Sequence, residues 1–254
     1  MSKISKIFDH KKALIAFITG GYPDIETTED LIVAMAETGV DIIKIGIPFS
    51  DPIAEDPLLQ EADKQALANG CTVDKLFAMV KKVKTKIETP LLFTTYMNSI
   101  FAYGKERFMS KCQDCGIEGV AILDLPFEEK DELADVCAKY DILQISMLAP
   151  TSKERIEMIA KDAVGFIHCM LSKDEAKTSI SEIMHQIRDV STIPCVVELG
   201  LSTPKQMKEL ITISDGVIIS SEIIKIIVEK YDKESIEPVK QFIGNLKCMM
   251  ENND

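Results

Sequence analysis

The sequence lacks any apolar run that approaches the ~20 residues a helix needs to cross a bilayer. Its first residues also lack the apolar core of a secretory signal peptide. Positive charge is not in excess, since Lys+Arg number 29 against Asp+Glu 41 and the formal net charge is −12. A surface of this sign argues against nucleic acid or an anionic membrane as the main partner. A small anionic substrate needs only a local site and stays possible. We therefore expect a cytoplasmic protein.

Metal-ligand spacing is also missing from the cysteines. The chain has seven cysteines, scattered mostly through apolar segments. One close pair, Cys112 and Cys115, stands on a helical pattern with Phe108 one turn before it. A metal pair needs further ligands at a recognisable spacing, and the sequence shows none. We interpret the pair as small core residues on one helical face, and we expect no metal site.

Apolar, β-branched segments alternate along the chain with segments of helical period. Hydrophobic residues make up 46% of the chain, which is ample for a large core. Stripes such as Leu76, Met79, Val80 and Val83 predict amphipathic helices between the strands. The segments that we predict as strands are Ala13–Thr19, Asp41–Ile45, Pro90–Tyr96, Gly119–Asp124, Ile142–Leu148, Val164–Met170, Pro194–Gly200 and Gly216–Ser220.

This alternation predicts an α/β fold, a single (βα)8 TIM barrel that forms one domain over residues 1–254. Glycines at Gly39 and Gly116 end a helix shortly before a strand begins. The alternative is a doubly wound open sheet. However, the Gly20-Gly21-Tyr22-Pro23 segment after the first strand does not match the GxGxxG fingerprint of dinucleotide-binding sheets.

The most informative segment is the loop expected after the second strand, residues 46–57. It reads Gly-Ile-Pro-Phe-Ser-Asp-Pro-Ile-Ala-Glu-Asp-Pro. Its prolines and glycine exclude a helix running through it. Loops that follow parallel strands carry the chemistry of barrel proteins. Candidate site residues are therefore expected in and beside this loop.

This loop closely resembles the α subunit of tryptophan synthase, whose pattern runs G-[IVF]-P-F-S-D-P-x-A-D-G-P. The resemblance covers nearly the whole chain, and chance similarity between two barrels would not reproduce it. Four further segments carry it: Phe17–Asp24, Thr95–Asn98, Asp124–Glu129 and Ala149–Thr151.

The resemblance implies a lyase of tryptophan biosynthesis. Its reaction is the retro-aldol cleavage of indole-3-glycerol phosphate to indole and glyceraldehyde 3-phosphate. Such an α chain has no cofactor of its own. It pairs with a β subunit that carries pyridoxal phosphate, in an α2β2 assembly. The reaction uses an acid at the end of strand 2, a loop carboxylate that holds the indole N–H, and backbone N–H groups near strands 7 and 8 for the phosphate.

Carried onto this sequence, the catalytic positions fall on Lys44, Glu55 and His168, where the family pattern has glutamate, aspartate and tyrosine. We expect Lys44 to reach into the barrel mouth. There it either pairs with Glu55 or Glu198, or acts as a desolvated amine that forms a Schiff base with a carbonyl substrate. His168 is either a packed, hydrogen-bonded residue or a catalyst.

The phosphate site is expected to be weaker than the family pattern. Glu198 and Glu222 stand beside the phosphate-binding positions. A carboxylate 4 Å from a phosphate charge costs about 4 kcal/mol per charge pair at an effective dielectric of ~20. Phosphate affinity should collapse if either carboxylate faces the pocket, and it survives if both face away. The resemblance gives the substrate-binding positions as Phe17, Thr19, Tyr96, Gly200, Ser220 and Ser221.

The residues of the partner face match the family pattern better than the catalytic residues do. The resemblance places Phe49, Ser50, Asp51, Pro52 and Asn98 against the β subunit, and all five are present. Three functions follow as hypotheses. The chain is an active lyase with rearranged catalytic groups, a non-catalytic α subunit that binds and activates a β subunit, or a different aldol-type lyase that uses Lys44.

Overall fold

A computed structural model describes residues 3–9, 11–149, 153–171, 177–199 and 204–251, without the side chains of 171, 177–179, 199 and 204–206. The described residues form eight parallel strands that close into one barrel, in chain order from β1 to β8. The predicted (βα)8 fold is thereby confirmed. The strands are β1 Ala13–Thr19, β2 Ile42–Gly46, β3 Leu91–Thr95, β4 Ile117–Ile122, β5 Leu143–Leu148, β6 Ile167–Leu171, β7 Cys195–Leu199 and β8 Gly216–Ile219.

Helices connect consecutive strands, and short 3-10 turns cover Phe127–Glu129 and Asp232–Ser235. Among the described residues, no helix has the length and apolar character that a membrane crossing requires. The helices are α1 Lys3–Ile7, α2 Ile25–Glu37, α3 Pro57–Ala68, α4 Val73–Val83, α5 Met97–Tyr103, α6 Lys105–Cys115, α7 Asp131–Lys139, α8 Lys153–Asp162, α9 Lys177–Val190, α10 Pro204–Ile213, α11 Ser221–Lys230 and α12 Ile236–Glu251.

Two apolar cores follow from the alternation of side chains along each strand. Residues such as Ile43 and Ile45 of β2 point outward and pack against the helices in the larger core. Their neighbour Ile42 points inward and joins a smaller core that fills the barrel. Ile4 of α1 is fully buried in this inner core, so α1 closes the amino-terminal end of the barrel. The open end is therefore the carboxyl-terminal one.

The inner core forms an apolar floor beneath the candidate site. It contains Ile42, Phe166 and Val196. Residues two apart on a strand share one face, so the next inward positions are 44 on β2, 168 on β6 and 198 on β7. These three positions carry ionisable side chains, described below. They meet the apolar floor on one side and the mouth of the barrel on the other.

The predicted strands are confirmed, with shifted ends that have local causes. The strand predicted from Val164 begins at Ile167, because Gly165 has a φ of +72°, which an extended strand cannot contain. Gly116 has a φ of +83° and ends α6 as predicted, so β4 begins directly afterwards at Ile117 rather than at Gly119. Local sequence patterns therefore predict where these elements lie, and glycines with a positive φ determine where they begin or end.

The predicted core role of the cysteine pair is also confirmed. Cys112 and Cys115 both lie on α6 as free thiols, and both belong to the outer core. Burial raises the pKa of the Cys115 thiol to about 11. These cysteines are therefore packing residues.

Closure of the barrel between β1 and β8 should depend on Gly216. A Cβ there would lie 2.5 Å from the carbonyl oxygen of Ala13, its partner across the β1–β8 pairing. We expect Gly216→Ala to lower the free energy of unfolding by about 1–3 kcal/mol, because backbone at a strand pair cannot move aside. Denaturant unfolding followed by circular dichroism measures this change.

The matched control is Gly244→Ala in α12. A Cβ at Gly244 would meet nothing closer than Thr38 Cγ2 at 3.9 Å, so the new methyl group has room. Alanine is favoured over glycine within helices by up to about 1 kcal/mol, and this variant should be as stable as the parent or more so. Equal unfolding midpoints for the two variants would contradict the packing argument.

Candidate functional site

A cavity of about 180 Å³ lies at the carboxyl-terminal end of the barrel. Six of the residues selected from the sequence line it together: Phe17, Lys44, Glu55, His168, Ser220 and Ser221. Asp56, Thr94 and Glu198 also line it. Residues from five strands and two connections thus converge on one small space. This is the end of a barrel where chemistry is expected.

Lys44 is buried in this site with a defined partner. Its side chain is 1% exposed, and its Nζ lies 3.0 Å from Nδ1 of His168. Glu55 or Glu198 was the partner expected from the sequence, and the direct contact with His168 differs from that expectation. Burial lowers the pKa of Lys44, against the opposing effect of the Glu198 and Glu55 carboxylates. The Lys44 ammonium therefore releases its proton more readily here than it would in water.

His168 links Lys44 to Glu198. Its ring is fully buried, and its second nitrogen, Nε2, lies 2.5 Å from Oε2 of Glu198. A lysine ammonium has donors and no acceptor, so Nδ1 must accept from Lys44. The proton of the neutral ring therefore sits on Nε2 and faces the Glu198 carboxylate. Burial and the charge of Lys44 lower the pKa of His168, which favours this neutral form.

Glu198 is the ionised end of the chain of contacts. Burial alone would raise its pKa, but the positive charge that Lys44 and His168 share outweighs burial and lowers the pKa of Glu198. Ser220 also contributes to the lowering of the pKa of this carboxyl group. Glu198 therefore faces the cavity, whereas Glu222 is not part of the cavity lining. One of the two carboxylates expected beside the phosphate site is thus directed into it.

Glu55 shares the cavity but titrates very differently. Burial raises its pKa to about 8, with further contributions from the carboxylates of Asp63, Glu198 and Asp56, while Lys44 opposes the shift. Within the described part of the chain, its Oε2 atom is buried and has no hydrogen-bond partner. At neutral pH this carboxyl group is therefore mostly protonated, unlike Glu198 a short distance away.

Asp56 connects the loop to the opposite side of the mouth. Its Oδ1 accepts hydrogen bonds from the backbone N–H groups of Leu58 and Leu59, which caps α3. Its Oδ2 accepts a hydrogen bond from the Ser221 hydroxyl at the start of α11. Asp56 had no role among the residues predicted from the sequence. The order Asp-Pro, a capping residue followed by proline at the first helical position, is a signal that predicts the cap.

Three predicted substrate-binding residues are not among the described lining residues of the cavity, and their role stays a prediction. Thr19 is fully buried at the end of β1, and Gly200 lies outside the described residues. Tyr96 supports the loop instead. Its hydroxyl accepts a hydrogen bond from the backbone N–H of Ala54 at 3.1 Å, and its ring stacks on Phe49 with centroids 4.8 Å apart.

The predicted partner residues form the outer part of the same loop. Ser50, Asp51 and Asn98 are exposed, whereas Phe49 is half-buried and is held by contacts on the inner side of the loop. The backbone N–H of Phe49 donates to Oδ2 of Asp63 at 3.0 Å, and Asp63 is itself buried. The loop after β2 thus has a fixed inner side and a solvent-facing outer side. Asp63, which lies on α3, was not among the residues predicted from the sequence.

The stability of the protein should fall as pH rises from about 5 to 8. The Glu55 pKa is raised from 4.5 to about 8 and the Asp63 pKa from 3.8 to about 7, so the folded chain holds both protons more tightly than the unfolded chain. Their contribution is complete below the unfolded values and is lost as pH passes the folded ones. Denaturant unfolding at a series of pH values measures this slope.

Glu55→Gln should flatten the upper part of that slope, near pH 8, because the glutamine stays neutral. Glu88→Gln is the matched control, since the Glu88 side chain is 95% exposed and the same substitution there should leave the slope unchanged. An unchanged slope in Glu55→Gln would show that the Glu55 carboxyl group titrates normally.

This chain is similar in sequence to known proteins over nearly its whole length. The family model described as "Tryptophan synthase alpha chain" matches residues 5–252. The alpha chain of Thermoanaerobacter sp. (strain X514) is 39% identical over 259 residues, covering 97% of this chain and 99% of the relative. The alpha chain of Alkaliphilus metalliredigens is 41% identical over 243 residues, covering 93% and 91%.

Solved structures agree. The crystal structure of the alpha chain from Legionella pneumophila subsp. pneumophila is 29% identical, with a TM-score of 0.91 over 99% of this chain and 98% of that one. A chain in the ligand-free tryptophan synthase structure from M. tuberculosis is 25% identical, with a TM-score of 0.89 over 98% and 99%. The match is in sequence, length and three-dimensional structure together. The chain therefore belongs to the tryptophan synthase alpha chain family.

Proposed function

We propose that this chain is an α-chain-like subunit that binds and activates a tryptophan synthase β subunit, and that its own cleavage of indole-3-glycerol phosphate is reduced or lost. One observation carries the proposal. Lys44 occupies the position to which the resemblance assigns the strand-2 glutamate, and its Nζ lies 3.0 Å from His168 Nδ1. The group that should exchange protons with the glycerol part of the substrate is therefore replaced by a cation with an internal partner.

The proton chemistry of the family reaction fits Lys44 poorly. An ammonium offers no acceptor, so Lys44 begins the reaction unable to take a proton from the substrate hydroxyl. His168 cannot substitute directly, because its Nδ1 faces Lys44 and its Nε2 faces Glu198. The strand-2 position therefore lacks the free carboxylate that general base catalysis requires there.

The loop carboxylate is in the wrong protonation state at neutral pH. In the family reaction this group holds the indole N–H while positive charge develops on the ring. Glu55, with a pKa raised to about 8 by burial and by neighbouring carboxylates, is mostly neutral at pH 7. A neutral carboxyl group stabilises a developing cation less well than a carboxylate does. The additional methylene relative to aspartate also displaces the group by about 1 Å, and such displacement costs on the order of 10²-fold in rate.

The phosphate end of the cavity already contains negative charge. The Ser221 hydroxyl, which could donate to a phosphate, donates instead to Asp56, and Glu198 lines the same cavity as Ser220. A phosphate dianion placed there would face two carboxylates, at about 4 kcal/mol for each charge pair 4 Å apart at an effective dielectric of ~20. Weak binding of the family substrate follows from this arrangement.

The partner face supports the other half of the proposal. The loop after β2 keeps its Pro-Phe-Ser-Asp-Pro segment, and Tyr96 and Asp63 hold it from the inside. Ile53 at its tip is 86% exposed, the highest value among the large apolar residues that the structure describes, so a partner on this loop can contact it directly. We propose the β subunit as that partner, pyridoxal phosphate as its cofactor, and the cytoplasm as the location. Nucleic acid and membranes are not proposed as partners.

An assay with two readouts tests this function. The purified chain is mixed with indole-3-glycerol phosphate, alone and with a β subunit, and indole release is followed. We expect release about 100-fold or more below that of an ordinary family member, because both acidic groups are altered. In the same mixture, the β subunit should consume added indole faster than it does alone. Indole release at ordinary rates would refute the loss of activity.

A surface variant tests the partner face separately. Ile53→Asp should abolish the acceleration of the β subunit, because it places a charge at the centre of the proposed contact. Met158→Asp is the matched control, since Met158 is a 50% exposed apolar residue on α8, and this variant should activate like the parent. Full activation by Ile53→Asp would show that the β subunit does not use this loop.

A further inference from the structure

Three buried side chains at the barrel mouth have the arrangement of an activated nucleophile. Lys44 Nζ lies 3.0 Å from His168 Nδ1, and His168 Nε2 lies 2.5 Å from Glu198 Oε2. A nucleophile within hydrogen-bond reach of a base, with a third group orienting that base, is the geometry that activates weak nucleophiles in unrelated enzymes. Here the nucleophile is an amine, and all three groups line the cavity.

We propose that Lys44 forms an imine with a small, uncharged aldehyde or ketone, with His168 as the base that accepts its proton and Glu198 as the residue that positions the imidazole. The proposal concerns a chemistry different from the cleavage of indole-3-glycerol phosphate. It does not depend on whether the chain binds a β subunit.

The surroundings of Lys44 favour a nucleophilic amine. The inner apolar core lies directly beneath it, with Ile42 two residues earlier on the same strand. The side chain is 1% exposed, so the ammonium has little water around it. Burial accordingly lowers the pKa of Lys44, in spite of the nearby carboxylates. An amine in these surroundings releases its proton more readily than a surface lysine does.

The proposed step balances in atoms and charge. Nζ gives one proton to His168 Nδ1, and its lone pair attacks the carbonyl carbon while the carbon–oxygen π electrons move to oxygen. That oxygen takes the proton of Glu55, which gives a carbinolamine. Nζ gives its second proton to the Glu55 carboxylate, His168 protonates the hydroxyl group, and water leaves as the imine forms. One ammonium and one carbonyl thus yield one iminium ion and one water, without an oxidant.

The cavity selects the class of carbonyl compound. Its volume of about 180 Å³ is below the ~300–1,000 Å³ typical of pockets for larger ligands. Asp56 holds the Ser221 hydroxyl group, Glu198 adds a second carboxylate, and Lys44 is the one lysine or arginine among the described lining residues. A phosphorylated aldehyde is therefore disfavoured. The Thr94 hydroxyl, 3% exposed and without a hydrogen-bond partner in the described structure, can accept or donate to a small polyol.

Reductive trapping tests the proposal on the full chain. The protein is incubated with glyceraldehyde or, separately, with glyceraldehyde 3-phosphate, reduced with borohydride, digested and mapped by mass spectrometry. We expect Lys44 to acquire the reduced three-carbon adduct at least about tenfold faster than Lys64, an internal control whose side chain is 78% exposed. Glyceraldehyde should label Lys44 faster than its phosphate does.

Two variants separate chemistry from folding. His168→Gln should slow labelling of Lys44 by about 100-fold, the usual contribution of a general base, while labelling of Lys64 stays unchanged. Glu198→Gln should also slow it, and should move the half-maximal labelling of Lys44 to lower pH, since the Glu198 charge raises the pKa of Lys44. A residue with a structural role alone would leave that pH unchanged.

The opposite results would overturn the proposal. Lys44 that stays unlabelled while Lys64 reacts shows that the amine is not a nucleophile. Faster labelling of Lys44 by the phosphorylated aldehyde refutes the substrate class. Because the experiment contains neither indole-3-glycerol phosphate nor a β subunit, its failure leaves the proposed function unaffected.

Discussion

The burial of one ammonium group inside the barrel sets the conditions for everything around it. A charge removed from water costs several kcal/mol unless nearby groups compensate, and Lys44 is almost completely buried. His168 accepts from it, and Glu198 supplies the balancing charge on the far side of the ring. This arrangement keeps Glu198 ionised at its low pKa. Glu55 shares the cavity with this ion pair but keeps its proton, because burial and the carboxylates of Asp63, Glu198 and Asp56 outweigh the charge of Lys44.

The loop after β2 combines two regions with separate supports. Its outer region rests on Tyr96 and on Asp63, neither of which lines the cavity. Its inner end turns into the cavity at Glu55 and Asp56. Changes in the chemical residues therefore leave the surface of the loop in place. A barrel of this family can alter its reaction while it retains the shape that it presents to another protein.

Local patterns in the sequence were sufficient for the fold, whereas the site residues came from the resemblance to the family and their roles stay predictions. Strand alternation predicted that Lys44 enters the mouth, and proline and glycine set the loop after it. The same patterns could not predict which groups meet across the barrel. His168 is 124 positions from Lys44, and Ser221 is 165 positions from Asp56. Which of Glu198 and Glu222 faces the cavity likewise depended on three-dimensional placement, because one is on a strand and the other on a helix.

Asp56 holds two parts of the barrel mouth at once. Where the family pattern has glycine, this aspartate both caps α3 and holds Ser221 across the mouth. Restoring the glycine to make room for phosphate would remove the side-chain cap and release the Ser221 hydroxyl in the same mutation, before any gain in catalysis. Replacement of an aspartate cap by glycine costs only a few tenths of a kcal/mol in helix stability. The larger consequence is that Ser221 loses its hydroxyl partner, because Asp56 belongs to the structural framework as well as to the cavity lining.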